Sequence, residues 1–194
     1  MQGGPGTYLG PFFIMNYFHK QKLKYLGMPR TGSRYVHGRL QAAFGGPVPH
    51  DHSSYIDPEY SDYMFVCSVR NPYARVLSGW KWLNMANENK FLPDSFPDYV
   101  RCVVPSFMFS VCTTLCHHIE DVDHFIRLEN VKDDLAKITI FPKDFNDFPT
   151  NTFSSGYRYS TEEYYAEKCV RDRIWDAYRE DFERFGYLRD SYIV

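Results

Sequence analysis

Two apolar segments that each lead into a tight turn and a helix start constrain the fold of this chain most strongly. The first spans residues 24–34 (KYLGMPRTGSR) and the second spans residues 65–78 (FVCSVRNPYARVLS). A nearly continuous apolar run is typical of a parallel strand that is covered on both faces. Strands that alternate with helices predict an α/β domain with a central, mostly parallel sheet. Ligands of such sheets bind at the carboxyl ends of the strands, where both turns fall.

The turn after the first strand carries groups that suit an anion. Pro29 fixes the entry to the turn, and Gly32 permits a close approach of the backbone. The hydroxyls of Thr31 and Ser33 and the first helical N–H groups are predicted to point at one spot, where the helix dipole also attracts negative charge. The GxxxxGK[ST] pattern of a Walker A loop is absent. An ordinary strand–turn–helix connection remains the alternative for this segment.

The turn after the second strand is built differently but offers similar chemistry. Arg70 ends the strand, Asn71 is the predicted helix cap and Pro72 the first helical residue. Ser78 lies about two turns further on, and we expect Arg70 and Ser78 to face the same groove as the first turn. Arg75 is a candidate for the same groove or for an ion pair with a carboxylate. Two such turns suit a ligand with two separated phosphate-like groups.

Composition limits the class of protein. The 194 residues are 44% hydrophobic, which suits one sizeable core, so we expect a single domain over residues 1–194. No stretch is long and apolar enough to span a membrane, and the N-terminus lacks the basic region and cleavage site of a signal peptide. The five cysteines show no spacing typical of a disulfide framework. These features predict a soluble, cytoplasmic protein with no membrane partner.

Charge is distributed unevenly along the chain. The net charge is −2, which gives no general attraction to nucleic acid. Residues 1–50 contain six Lys or Arg and no Asp or Glu, so this part carries +6 and the rest −8. A compact cationic region around a glycine-containing turn predicts a small polyanionic ligand. A basic surface on an ordinary domain is the alternative.

The remaining elements follow from periodicity and from helix stop signals. Residues 1–18 are predicted to form an arm packed on the domain, and residues 141–160 a long irregular segment of the kind that is often functional. Strands are predicted over 22–28, 63–70 and 123–128. Helices are predicted over 32–44, 72–87, 98–118, from 129 to about 138, and over 161–185, the last ending at Gly186.

A cluster of Cys and His residues is a candidate metal site, with ordinary buried or half-buried helix residues as the alternative. Cys112 and Cys116 lie one helical turn apart and are followed by His117 and His118. These residue types bind zinc, but the paired CxxC spacing of structural zinc sites is missing. We therefore predict no metal centre.

Together the two turns resemble those of the carbohydrate-type sulfotransferases, the family that includes the heparan sulfate 2-O-sulfotransferases. Residues 29–34 (PRTGSR) are similar to the PKTGST-like loop that binds the 5′-phosphosulfate, and residues 70–78 (RNPYARVLS) to the RDPxxRxxS element that binds the 3′-phosphate. Residues 125–130 (FIRLEN) resemble a late core strand, and residues 178–187 (YREDFERFGY) resemble the end of the C-terminal helix. The resemblance implies a P-loop-like, three-layer fold with helices flanking the sheet, a core over 22–187 and an N-terminal arm over 1–21.

The same resemblance implies transfer of a sulfuryl group from 3′-phosphoadenosine 5′-phosphosulfate to an acceptor hydroxyl on a glycan or small molecule. Residues 50–57 (HDHSSYID) are similar to the family's HGHxSYxD stretch, which makes His52 the catalytic base with His50 beside it. A base with a pKa near neutral suits this chemistry, and His supplies one. A loop His exposed to solvent is the alternative reading of His52.

Donor-binding residues are likewise implied by the resemblance. Arg30 also has a catalytic role, because it stabilises charge on the leaving phosphate, and fixed cations make a metal unnecessary. Arg158 is predicted, from the composition and position of residues 154–158, to close over the nucleotide. The full donor set is Pro29, Arg30, Thr31, Gly32, Ser33, Arg34, Arg70, Ser78 and Arg158.

Three positions depart from the family pattern. Arg30 replaces the usual Lys, Asn71 the usual Asp, and Arg34 a common Thr or Ser. A guanidinium is always charged and binds as a fork, so Arg30 is a poor proton donor to the leaving group.

Two other functions stay open: a small nucleotide kinase, which the missing Walker Lys argues against, and a non-catalytic nucleotide-binding module, which the intact His52 argues against.

Overall fold

A computed structural model describes residues 7–8, 14–45, 55–56, 58–85, 93–104, 114–115, 119, 121–148 and 161–192. Contacts between residues divide the chain into two compact units. The first unit comprises Met1–Val69 and His118–Thr152, and the second comprises Arg70–His117 and Phe153–Val194. The single domain expected over residues 1–194 stays a prediction.

The first unit is built on a four-stranded sheet. Its strand order is β2-β3-β5-β6, in which β3, β5 and β6 are parallel and β2 is an antiparallel edge strand. The strands are β2 (Ile14–Phe18), β3 (Leu23–Gly27), β5 (Met64–Val69) and β6 (His124–Arg127), and β1 (Thr7–Tyr8) pairs separately with β4 (Tyr55–Ile56). The predicted mixed α/β class and the mostly parallel sheet are confirmed. All three predicted strands are present.

Residues 14–18 lie in the sheet, although the sequence predicts an arm there. Asn16 is opposite Tyr25 in the β2–β3 ladder. The neighbouring residues Met15 and Asn16 are 0% and 1% exposed, so both faces of β2 are covered. A strand buried on both faces shows no polar–apolar alternation, which explains why its pattern did not reveal it.

One face of this sheet is covered by α1 (Ser33–Phe44) and α4 (Val131–Ala136). Val36 and Leu40 project from α1 into a core that also takes side chains from all four strands and from α4. Gly45 ends α1 with φ +74°, as its glycine signal predicted. The strand members of this core are Phe18, Leu23, Tyr25, Val66 and Ile126.

The second unit is helical over its described residues. Its helices are α2 (Pro72–Met85), α3 (Phe96–Cys102), α5 (Thr161–Tyr164) and α6 (Lys168–Phe185), and α2, α3 and α6 pack against one another. Their shared core is aromatic-rich, with Tyr73, Phe96, Tyr99, Tyr178 and Phe182 all nearly or fully buried. Among the described residues, no helix has the length and apolar character needed to cross a bilayer.

The helix predicted over residues 161–185 is divided between α5 and α6. The Arg171 guanidinium donates to the carbonyl oxygens of Tyr165 and Ala166. Both oxygens lie between the two helices, and α6 begins at Lys168, after its cap residue Glu167. The predicted end at Gly186 is confirmed, with φ +75°.

Candidate functional site

The turn between β3 and α1 has an unusual backbone. Arg30 has φ +63° and Gly32 has φ +74°, so two left-handed residues within three positions reverse the chain before α1 begins at Ser33. For a residue with a Cβ, the left-handed conformation costs about 1–2 kcal/mol. Arg30 therefore keeps this conformation only because its surroundings impose it.

A chain of buried hydroxyls supports this turn from inside the first unit. Thr31 donates to the Met28 carbonyl oxygen at 2.8 Å and lies 2.7 Å from the Ser68 hydroxyl. The Tyr25 hydroxyl lies 2.9 Å from Ser68 Oγ and 3.1 Å from the Ser33 carbonyl oxygen. Thr31, Tyr25 and Ser68 are all 0% exposed, and burial raises the pKa of Tyr25 well above its ordinary value, so its hydroxyl remains protonated. The Thr31 hydroxyl thus faces the interior and fixes the turn.

The end of β6 closes one side of the same turn. A Cβ placed on Gly32 would lie 2.4 Å from Leu128 Cδ1 and 2.8 Å from Leu128 Cδ2. The absence of a side chain at residue 32 is therefore required by Leu128 packing as well as by the positive φ. Leu128 belongs to the FIRLEN segment, so the PRTGSR turn packs against a second segment that the sequence singled out.

Polar groups on the outer side of the turn remain suited to an anion. The N–H groups in the first turn of an α-helix have no intrahelical acceptor, and those of Ser33 and Arg34 are in this position. Arg34 is exposed, while Arg30 and Ser33 are half-buried. Guanidinium groups and helix N-terminal N–H groups together provide an electropositive environment.

Three of the six cations of residues 1–50 are paired or buried. Lys22 pairs with Asp62 at 2.6 Å, and Arg39 pairs with Asp147 at 2.7 Å. Lys24 is buried, and desolvation lowers its pKa. Much of the positive charge therefore has a local structural partner, and the cations at the β3–α1 turn belong to the turn itself.

In the second unit, α2 begins as its sequence predicts. Tyr73 N–H donates to Asn71 Oδ1 at 2.9 Å, which confirms Asn71 as the cap of a helix that starts at Pro72. Arg70, half-buried, immediately precedes this cap. The cap leaves Arg70 at the amino end of α2, where the helix dipole favours a negative ligand.

Lys81 joins Arg70 and Ser78 as a candidate that the sequence did not single out. Lys81 lies three residues after Ser78 on α2, so both side chains share one helix face. Desolvation, with repulsion from the Arg70 guanidinium, lowers the pKa of Lys81. The Lys81 ammonium also lies 4.9 Å from the centre of the Tyr164 ring. Perturbed pKa values cluster at functional sites, so this face of α2 with Arg70 beside it is a candidate site for an anionic group.

Arg75 takes the structural alternative that its sequence position left open. Its guanidinium is 3.9 Å from the Asp181 carboxylate, and both side chains are 1% exposed. Both Asp181 oxygens also accept the Leu115 N–H at 2.9 Å. The ion pair thus joins the RNPYARVLS and YREDFERFGY segments within the second unit, and Arg75 acts as a core residue there.

Several candidates fall outside the described residues, so the structure does not place them. They include the predicted base and the residue predicted to close over the nucleotide. Within the described ranges, no group of three or more His, Cys, Asp or Glu side chains is arranged to hold a metal ion. The residues outside are His50, His52, Arg158, Cys112, Cys116, His117 and His118.

Comparisons with protein-family models, curated proteins and solved structures find no match to this chain. The candidate functional groups of the described residues are the hydroxyl-supported turn at Arg30–Arg34, Arg70, and the face of α2 that carries Ser78 and Lys81.

Proposed function

We propose that this protein is a sulfotransferase that moves a sulfuryl group from 3′-phosphoadenosine 5′-phosphosulfate to an acceptor hydroxyl. In this proposal the β3–α1 turn holds the 5′-phosphosulfate, and Arg70 with Ser78 holds the 3′-phosphate. The sheet and helices then form the P-loop-like, three-layer fold that the resemblance implies.

The observation that carries the proposal is the fixed geometry of the β3–α1 turn. The Thr31–Ser68 contact at 2.7 Å and the positive φ of Arg30 and Gly32 hold the turn before any ligand arrives. Groups that are already oriented stabilise developing charge without reorganisation, which is the main electrostatic contribution to catalysis. A sulfuryl transfer develops negative charge on the leaving phosphate, beside which this turn would place Arg30.

The chemistry of the turn also favours this reaction over phosphoryl transfer by a kinase. Residues 29–34 contain no Lys followed by Ser or Thr, the pair that a Walker A loop uses for phosphate and Mg²⁺. The Thr31 hydroxyl, which is 0% exposed, is engaged with Met28 and Ser68. Fixed guanidinium groups instead supply the positive charge.

The proposed step is an in-line displacement at sulfur. His52 removes the acceptor proton, the acceptor oxygen forms a bond to sulfur, and the bond from sulfur to the 5′-phosphate oxygen breaks. The electron pair leaves on that phosphate oxygen, and 3′,5′-diphosphoadenosine is released. Arg30 and the N–H groups of Ser33 and Arg34 stabilise the leaving charge. The acceptor is a hydroxyl of a carbohydrate or small molecule, and the setting is cytoplasmic.

A transfer assay tests this function. Donor labelled in its sulfuryl group is incubated with a panel of mono- and oligosaccharides and small alcohols, and labelled product is separated from donor. Wild type should sulfate at least one acceptor, and His52→Ala should lower that rate by about 10²–10⁴-fold, the usual worth of a positioned base. His50→Ala should lower the transfer rate by a smaller factor, because the proposed role of His50 is to position the loop or the acceptor.

Three results would change the assignment. Full activity in His52→Ala removes His52 as the base, and loss confined to His50→Ala transfers that role to His50. Tight donor binding without transfer to any acceptor favours a non-catalytic nucleotide-binding module. Activity lost in EDTA and restored by Mg²⁺ favours the kinase.

A further inference from the structure

Asn71 makes contacts on both sides of its carboxamide. Its Oδ1 accepts the Tyr73 N–H at 2.9 Å, while its Nδ2 donates to the Ser191 carbonyl oxygen at 2.9 Å and to Ser191 Oγ at 2.8 Å. Ser191 Oγ donates onward to the Leu188 carbonyl oxygen at 2.6 Å, so it is free to accept from Asn71. Asn71 is 2% exposed. The amide thus joins the start of α2 to the C-terminal segment of the chain.

The C-terminal segment, residues 188–192, is held at further points, and we call it the clasp. Tyr73 Oη donates to the Arg189 carbonyl oxygen at 2.7 Å, and burial raises the pKa of Tyr73 to about 12, which keeps this donor protonated. The Arg189 side chain pairs with Asp172 on α6 at 3.1 Å. Arg171, also on α6, lies 4.9 Å from the centre of the Tyr192 ring. The clasp is therefore fastened to the first turn of α2 and to α6 within the same unit.

We propose that the clasp is a positioning device for Arg70: by holding Asn71, it fixes the turn from which Arg70 reaches an anionic group. This inference rests on the proposed function, in which that group is the 3′-phosphate of the donor. Pro72 fixes one backbone dihedral after the turn, and Asn71 is fixed by three hydrogen bonds. The freedom left to Arg70 is then mainly that of its side chain, which reduces the entropy lost when it binds a ligand.

The clasp also explains the amide at residue 71. The resemblance to sulfotransferases places Asp there, and Asp accepts the Tyr73 N–H as well as Asn does. A carboxylate has no hydrogen to donate, and it would face the Ser191 carbonyl oxygen. Asn is therefore the residue that both caps α2 and binds the clasp.

Two charge-neutral changes open the clasp and leave Arg70 in place. Asn71→Ser retains a hydroxyl that accepts the Tyr73 N–H but is too short to bind Ser191 as the amide does. Deletion of residues 188–194 removes one Arg and one Asp, so the side-chain charge is unchanged. Asn84→Ser is the control, because Asn84 is an exposed residue of α2 whose amide donates to the Trp80 carbonyl oxygen one turn earlier in the same helix, at 3.0 Å.

The experiment compares 3′,5′-diphosphoadenosine with adenosine 5′-monophosphate by calorimetric titration of each folded variant, with thermal unfolding measured alongside. Asn71→Ser and the deletion should weaken binding of the diphosphate by about three- to tenfold, because the turn before α2 must then also be ordered when the ligand binds. Binding of the monophosphate should hardly change, and Asn84→Ser should match wild type with both ligands. A purely structural clasp would lower the melting temperature and weaken both ligands equally.

The outcomes separate this inference from the function on which it rests. If wild type prefers the diphosphate and both clasp variants keep that preference, the positioning role is wrong and the proposed function stands. If wild type binds neither nucleotide, the proposed function fails and the clasp loses its ligand. If the deletion variant does not fold, Asn71→Ser decides alone.

Discussion

The Thr31 and Ser68 hydroxyls lie 2.7 Å apart, which ties the β3–α1 turn to the interior of the neighbouring strand β5. Both side chains are 0% exposed. This contact fixes the position of the turn at the carboxyl ends of β3 and β5, the two central strands of the sheet. An anion that binds there meets a turn whose backbone conformation is already set.

Replacing Thr31 by Val should therefore destabilise the protein. Val has a similar shape but removes the buried hydroxyl that donates to the Met28 carbonyl oxygen and contacts the Ser68 hydroxyl, at a cost of about 1–3 kcal/mol in the free energy of unfolding. Thr31→Ser keeps the hydroxyl and should cost only about 1 kcal/mol for the lost methyl group. Urea unfolding at neutral pH measures both. Equal losses for Val and Ser would show that the hydroxyl chain is not what holds the turn.

Gly32→Ala should be more damaging, through two separable effects. The left-handed φ and the overlap with Leu128 together predict a loss of about 2–4 kcal/mol. In a Leu128→Ala background the overlap disappears, so the same substitution should cost only about 1–2 kcal/mol, the backbone contribution. A double-mutant cycle measures the difference. Additive losses would mean that Leu128 does not restrict residue 32.

Arg70 and Lys81 should select ligands that carry a 3′-phosphate. Arg70→Ala should weaken 3′,5′-diphosphoadenosine binding by about 1.5–3 kcal/mol, the worth of a charge-assisted hydrogen bond, and should affect adenosine 5′-phosphosulfate much less. Lys81→Met should act in the same direction.

Lys132→Met is the matched control for Lys81→Met, since Lys132 also lies over an aromatic ring, 6.0 Å from the centre of Phe148. The measurement is competition titration with the two nucleotides. Equal losses for both ligands would remove Arg70 and Lys81 from the 3′-phosphate site.

The lowered pKa of Asp134 predicts that the free energy of unfolding depends on pH. Burial alone would raise its pKa, but hydrogen bonds from Arg127 and Lys137 outweigh burial and lower the pKa to about 2 from 3.8. A group whose pKa is lowered by folding stabilises the protein above its unfolded-state pKa, and that stabilisation is lost as pH falls through the folded-state value. The contribution of at most about 2 kcal/mol should therefore fade between pH 4 and pH 2.

Asp134→Asn isolates this contribution. Wild type should be the more stable protein at pH 6, and the difference should shrink as pH falls towards 2. Unfolding by denaturant at several pH values gives the comparison. A difference that is constant across this range would mean that Asp134 does not titrate as its contacts predict.

Elements with strong local signals were predictable from the sequence. Strands β3 and β5 were predicted from apolar runs, β6 was predicted at residues 123–128, and the ends of α1 and α6 were predicted from Gly45 and Gly186. The cap at Asn71 followed from the residue pair Asn71–Pro72 alone. Each of these features is decided within a few residues of the chain.

Features that depend on distant partners were not predictable. A Cβ at residue 32 would overlap the side chain of Leu128, which lies 96 positions further along the chain (128 − 32). Asn71 and Ser191 are 120 residues apart, and Lys81 is identified by its proximity to Arg70 and Tyr164. Strand β2 was missed because burial on both faces removes the alternation that marks a strand. His50, His52 and Arg158 stay predictions from the sequence.

Titration of wild-type protein with 3′,5′-diphosphoadenosine in EDTA, and in parallel with ATP plus Mg²⁺, tests the central claim most directly. The account predicts one molecule of diphosphate bound per chain, unaffected by EDTA and tighter than ATP with Mg²⁺, because the proposed function assigns the phosphate groups to cationic side chains and to no metal ion. Absence of diphosphate binding, or binding that requires Mg²⁺ and favours ATP, would contradict it.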